Sequence, residues 1–145
     1  MPPFSLTRTV PLPPHEAWRR LTEWPRHADA VPLTRIRVLT PAPTRAGTRF
    51  VARSRLGPFT VDDVMEITVW QPPAGEEAGV CRLEKRGRVI LGWAEIEVRP
   101  APGGSRTVWR EDLRVRFLPR VFDGVLERAA RRMFGRAADR LLGRP

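Results

Sequence analysis

Residues 119–142, PRVFDGVLERAARRMFGRAADRLL, decide how the rest of the chain is read. Leu126, Ala130, Met133, Ala137 and Leu141 recur at steps of four, three, four and four, which places them on one face of a helix. Phe122 and Ala129 widen this stripe on one side and Phe134 on the other, while Arg128, Arg131, Arg132 and Asp139 lie opposite. Pro119 suits a first turn, and Gly143 followed by Pro145 supplies a stop. At 1.5 Å per residue the helix runs roughly 35 Å, enough to cross a small domain. Its middle is lined with alanine and its ends are bulky. Such a helix can cover a concave sheet without filling it, so a hydrophobic hollow is expected beneath.

Working back from this segment, the period is mostly two. Phe4 to Val10 reads as a first strand, closed by Pro11-Leu12-Pro13-Pro14. A short helix carrying Ala17, Trp18 and Leu21 follows, and Pro25 disfavours helical geometry at Trp24. Arg26 to Ala30 adds another turn. Further strands are expected around Ile36 and Val38, over Thr48–Arg55, Phe59–Trp70, Val80–Arg86, Val89–Val98 and Thr107–Phe117, separated by turns rich in proline and glycine. The expected class is α+β: about seven antiparallel strands in a curved sheet, two short helices after the first strand, and one long C-terminal helix. Residues 1–145 are read as a single domain.

Alternation then assigns faces. On the last strand Trp109, Glu111, Leu113, Val115 and Phe117 share the side toward the helix, and Arg110, Asp112, Arg114 and Arg116 the other. On the fifth, Cys81, Leu83 and Lys85 face inward. On the fourth, the inner set is Phe59, Val61, Asp63, Met65, Ile67 and Val69. For the sixth, Gly92, Ala94, Ile96 and Val98 are preferred over Leu91, Trp93 and Glu95, because small residues leave room for a guest. A one-residue slip would exchange any of these faces. Asp63, Lys85 and Glu111 thus form a candidate polar cluster that could orient a carbonyl or hydroxyl and exchange a proton. A structural ion network, or strand ends facing solvent, fits the same pattern and is the commoner reason for such groupings. Trp109, Phe117 and Phe122 are candidate ring-stacking residues of the hollow. Met65, Leu83, Ile96, Leu113, Leu126, Ala130 and Met133 complete the candidate lining. His27 is expected to anchor the turn that follows it.

Composition narrows the classes. A hydrophobic content of 41% belongs to a folded chain. No apolar run approaches the roughly 20 residues of a membrane span, and the N-terminus has no signal layout, so a cytoplasmic protein is expected. The single cysteine, Cys81, gives neither a disulfide nor a ligand pair, and two distant histidines do not suggest a metal. No cofactor is expected, since there is no dinucleotide or phosphate-loop motif. The formal charge of +10 raises nucleic acid or acidic lipid as partners. However, the arginines are scattered along the chain and only Lys85 is lysine, a skew typical of codon bias. Neither nucleic acid nor a membrane surface is therefore the expected partner.

Several stretches carry a resemblance. They are Pro13-Pro14-His15-Glu16-Ala17-Trp18, Trp24-Pro25-Arg26-His27 leading to Val31-Pro32-Leu33-Thr34, and Gly47-Thr48-Arg49-Phe50. Asp62-Asp63-Val64-Met65 with Trp70-Gln71-Pro72-Pro73, Gly92-Trp93, and Gly103 to Trp109 with Glu111 complete the set. Together they resemble the helix-grip or START-like superfamily, the polyketide cyclase/dehydrase and lipid transport family, over nearly the whole chain. The resemblance implies a small hydrophobic ligand (lipid, polyketide or aromatic metabolite) held between sheet and helix. It also implies cyclisation or dehydration in some members, with Glu111 or Asp63 as base and Lys85 polarising an oxygen. The alternative is an interaction domain whose hollow is filled by Trp109, Phe117 and Met133 and whose arginine surface meets an acidic partner.

Overall fold

The computed structural model of the chain describes residues 2–143; Pro145 lies outside them. Strand β1 (Phe4–Val10) leads into α1 (Pro14–Thr22), a 3-10 turn (Trp24–Arg26) and α2 (His27–Ala30). Six strands follow: β2 (Thr34–Val38), β3 (Arg49–Leu56), β4 (Phe59–Gln71), β5 (Gly79–Lys85), β6 (Ile90–Ala101) and β7 (Gly104–Val115). A second 3-10 turn (Arg120–Phe122) opens α3 (Asp123–Leu141). The expected α+β architecture is the observed one. Pro14 starts α1 at the position where its missing N–H costs nothing. Gly143, at φ +75°, ends the last helix with its N–H on the Arg140 carbonyl.

All seven strands form one antiparallel sheet in the order β1-β7-β6-β5-β4-β3-β2. Consecutive strands β1 and β2 therefore lie on opposite edges, and the α1–α2 segment spans the sheet between them. At one end this segment packs Trp18 on Trp70 (5.1 Å between centroids) and Trp24 on Phe50 (4.6 Å, stacked). Ala17, Leu21, Ile67, Cys81, Val98, Ala137 and Leu141 fill the same core. Burial raises the Cys81 thiol to about 12, so it is inert packing rather than a nucleophile. Among the described residues no helix is long and apolar enough to cross a membrane.

The alternation holds on β5, β6 and β7 up to Val115 and fails at three places, Val69, Phe117 and Phe59. Between Ile67 and Val69 the β4–β5 register shifts by one residue. Beyond this bulge Trp70, not Val69, turns inward. At the end of β7 the expected strand is too long. Arg116 still donates its N–H to the Val89 carbonyl, but Phe117 takes φ +69° and the chain leaves the sheet. Its ring is 90% exposed, as is 71% of Phe59 at the start of β4.

Gly92 bends β6 at φ +122°, and a Cβ there would lie 1.9 Å from the Asp112 carbonyl oxygen. Its backbone is pressed against β7, so the glycine serves strand contact rather than guest space. Gly103 also has positive φ but open space around it. Gly92→Ala should therefore cost at least about 3 kcal/mol in urea unfolding, and Gly103→Ala about 1 kcal/mol. Equal costs would contradict the described β6–β7 contact.

Candidate functional site

Alternation on four neighbouring strands brings the inward polar residues together on the sheet floor. Asp63 comes from β4, Lys85 from β5 and Glu111 from β7, with β6 between the last two. There β6 presents Ala94, paired with Leu83 on one side and Glu111 on the other, followed by Gly92. Over this low stretch the Lys85 Nζ reaches Asp63 Oδ2 at 2.7 Å and Glu111 Oε1 at 3.2 Å. Trp109 donates its indole N–H to Glu111 Oε2 at 2.9 Å. Glu111 is 1% exposed and Lys85 8%. Ala94, small and on the inner face of β6 between Leu83 and Glu111, leaves the lysine room to reach across.

The electrostatics follow from this burial. Desolvation pushes the Asp63 and Glu111 carboxyls above their ordinary values, with the Lys85 charge opposing it in both. Burial also works against the Lys85 charge, but Glu111 and Asp63 more than offset it and its value rises. The three groups titrate as one unit that favours holding protons. Glu111 has a donor on each oxygen. Asp63 differs, because its Oδ1 is buried without a hydrogen-bond partner. Among the described residues the one other such buried side-chain atom is Trp24 Nε1.

Asp63, Lys85, Glu111 and Trp24 all line one cavity of about 310 Å³ between the sheet and α3. Of the residues expected to line a hollow, Met65, Leu83, Ile96, Trp109, Leu113, Leu126 and Met133 do so. Three do not. Phe117 points to solvent for the backbone reason given above. Phe122 is 48% exposed, because it ends the 3-10 turn before α3 begins and is not part of the helix stripe. Ala130 is buried against Phe4 and Leu113, outside the cavity. The alanines thus do not keep the hollow vacant. They let the helix settle beside β1 and α1–α2, where most of its backbone contacts fall. Its Leu126, Met133 and Phe134 then form the roof over a sheet floor that the helix does not reach. Trp109, Phe117 and Met133 accordingly do not fill the space, as the interaction-domain alternative requires.

Sequence reasoning missed the side wall. Trp24, His27 and Val31 line the cavity from the edge-to-edge segment, Ile36 from β2 and Phe50 from β3. The signal was the Trp24-Pro25-Arg26-His27 stretch, read as a turn and as part of the family resemblance but not as cavity lining. His27 ties back to the preceding helix rather than to the turn that follows: its Nε2–H donates to the Leu21 carbonyl at 2.8 Å, and the ring lies 5.4 Å from Trp24 and 5.8 Å from Trp109. In the neutral ring Nδ1 is then left as an acceptor.

Burial lowers the His27 pKa from 6.5, with the Leu21 hydrogen bond acting the other way. The unfolded ring therefore binds a proton before the folded one does, and this residue's contribution to stability falls as pH drops below 6.5. Asp63 and Glu111 act with the opposite sign, so the difference from a His27→Gln variant isolates the effect. Relative to that variant, the wild type should lose up to about 1.4 kcal/mol per pH unit below its ordinary titration point. Urea unfolding at about pH 7.5 and about pH 5.5 checks it; an unchanged difference would mean the ring is not buried neutral.

Solved structures share this architecture. The Zhui aromatase/cyclase from Streptomyces sp. R1128 superposes with a TM-score of 0.72 at 15% identity, over 98% of this chain and 92% of that one. TTHA0849 from Thermus thermophilus gives 0.69 at 16% identity, over 97% and 94%. CV1439 from Chromobacterium violaceum gives 0.68 at 11% identity, over 97% and 95%. No curated protein sequence matches the chain. The family model for polyketide cyclase/dehydrase and lipid transport matches residues 1–144. With that match over almost its full length, and with a sheet, linker helices and closing helix of the helix-grip kind, the chain belongs to the polyketide cyclase/dehydrase and lipid transport family.

Proposed function

We propose that the chain binds a small, uncharged, mainly apolar molecule in the cavity between sheet and C-terminal helix. A lipid alcohol, a polyketide or an aromatic metabolite has the required chemistry. The observation that carries this reading is an apolar cavity of about 310 Å³ with one polar cluster on its floor. That volume is at the lower end of the roughly 300–1,000 Å³ typical of small-molecule sites. Trp24 and Trp109 offer ring faces, and Asp63 Oδ1 and Trp24 Nε1 remain to be satisfied. An unpartnered buried polar atom costs about 1–3 kcal/mol, which a guest with a matching donor or acceptor would recover on binding.

The same cluster argues against an anionic guest. Among the described lining residues Lys85 is the only lysine or arginine, and its ammonium is held by Asp63 and Glu111. A carboxylate head would meet two carboxyl groups and no free cation.

A catalytic variant of this reading is supported by the proton-holding cluster, and the Zhui protein is itself described as an aromatase/cyclase. Asp63 is the better candidate for proton exchange, since both Glu111 oxygens already accept hydrogen bonds. As a carboxylate, Asp63 would remove a proton alpha to a bound carbonyl. Lys85 would donate a hydrogen bond to the resulting enolate oxygen, and Glu111 would keep Lys85 charged. Turnover of a poly-β-ketone that Asp63→Asn abolishes, with binding retained, is the mark of this variant.

Tryptophan fluorescence titration tests the binding role. Naphthol should bind at least about ten-fold more tightly than naphthoate at neutral pH, and Asp63→Asn should narrow that ratio. Lys85→Met and Glu111→Gln should each change naphthol affinity far more than Arg114→Gln, whose side chain lies on the outer face. No binding of either compound would sink the reading. Equal affinities would leave the cavity a binding site but remove its preference for uncharged guests.

A further inference from the structure

The exposed apolar residues are not scattered. Among the described residues, eight of the twelve exposed large hydrophobic side chains sit at one end of the sheet: Leu33, Phe59, Val89, Phe117, Leu118, Val121, Phe122 and Val125. The antiparallel order places them there. Leu33 precedes β2, Phe59 follows the β3–β4 turn, Val89 precedes β6, and the rest follow β7 up to the first turn of α3. Phe117 is 90% exposed, Val121 81%, Leu33 72%, Phe59 71% and Val125 69%.

This is also the open end of the cavity. Thr34, Val61, Ile90 and Val115 line it and are partly exposed, whereas the opposite end is closed by Trp18 on Trp70. A second hollow of about 440 Å³, beside Leu118 and Arg120, shares Leu113, Val115 and Leu126 with the first. Leu33 and Phe117 are moreover, among the described residues, the two non-glycine residues at positive φ, 56° and 69°. A left-handed backbone costs a bulky side chain roughly 1–2 kcal/mol, and here it accompanies apolar side chains turned into solvent instead of the core.

Charge gives the surface its partner. Segments 33–35, 55–59, 86–89 and 116–125 carry Arg35, Arg55, Arg86, Arg88, Arg116 and Arg120 against one acid, Asp123. All six arginines are exposed; Arg86 reaches Glu66 on β4 at 3.6 Å. A second copy of the chain would set these arginines against each other, and nucleic acid has no use for five protruding apolar tips. Apolar residues on separate loops, ringed by arginine, fit an interface with acyl chains below and anionic headgroups above.

We propose that this end of the molecule docks on an anionic lipid bilayer, with Phe117, Val121, Val125, Leu33 and Phe59 inserted and the surrounding arginines on the headgroups. The cavity mouth then faces the membrane, and a hydrophobic guest passes between bilayer and cavity without crossing water. Six of the arginines that look dispersed along the sequence are brought to the mouth by the fold, and the proposal departs there from the expectation that a membrane surface is not a partner.

Cosedimentation with vesicles tests this. The full chain should pellet with phosphatidylcholine vesicles containing phosphatidylglycerol, pellet less with phosphatidylcholine alone, and be released by salt. Phe117→Asn/Val121→Ser should weaken partitioning at least about ten-fold. Asparagine tolerates positive φ and both positions are solvent-exposed, so the variant should fold and bind naphthol as the wild type does. Arg116→Ser/Arg120→Ser should reduce the preference for phosphatidylglycerol. Wild-type protein left in the supernatant, or apolar variants that pellet like wild type, would overturn the proposal. Concentration-dependent self-association abolished by Phe117→Asn would also overturn it, and would make the face a contact between copies. Vesicle binding without naphthol binding would leave docking standing and remove the cavity's proposed role.

Discussion

A lysine stem laid across a strand is the constraint on which the floor of this molecule depends. To reach Glu111 on β7, Lys85 on β5 must pass over β6, and β6 allows it by carrying the small Ala94 on its inner face there. Removing one member of such a buried group leaves an uncompensated charge, at a cost of about 3–5 kcal/mol. The cluster therefore fixes the inward faces of β4, β5 and β7 relative to each other. Its polar atoms are nearly all used internally. That is the signature of a structural network, with Asp63 Oδ1 as the place where it remains incomplete.

The hollow above this floor exists because the sheet is wider than what covers it. The linker between β1 and β2 crosses from edge to edge and closes one end with tryptophans. The buried alanines of α3, Ala130, Ala137 and Ala138, settle against β1 and the linker helices. The helix then bridges the remaining span with Leu126, Met133 and Phe134. Small residues let the helix sit close at one side, and the space appears where it is held away from β4 to β6. The incomplete polar cluster lines the unfilled apolar volume, and exposed apolar residues gather at one end of the same sheet.

Much of this was legible in the sequence wherever one periodicity ran without interruption. β5 and β7 alternate cleanly, so Cys81, Leu83 and Lys85, and Trp109, Glu111 and Leu113, were assigned to the inner face from spacing alone. The step of 3.6 along α3 likewise gave Leu126 and Met133. Alternation failed where the backbone breaks the count: the bulge after Ile67 turned Val69 outward, and the left-handed turn at Phe117 ended β7 early. No local pattern announces either event. Trp24, His27 and Phe50 were missed for a different reason. They converge only because the linker crosses the whole sheet, a tertiary path that spacing does not encode. The mouth was invisible in the same way, since its residues come from four separate segments.

The central claim is that a guest enters the space between sheet floor and helix roof. Two methionines stand on opposite sides of it, Met65 on β4 and Met133 on α3. Methyl-labelled methionine NMR during a naphthol titration is the most direct measurement. The account requires both resonances to move together and saturate at one guest per chain. Saturable binding that leaves Met65 and Met133 unmoved would place the guest elsewhere and contradict it.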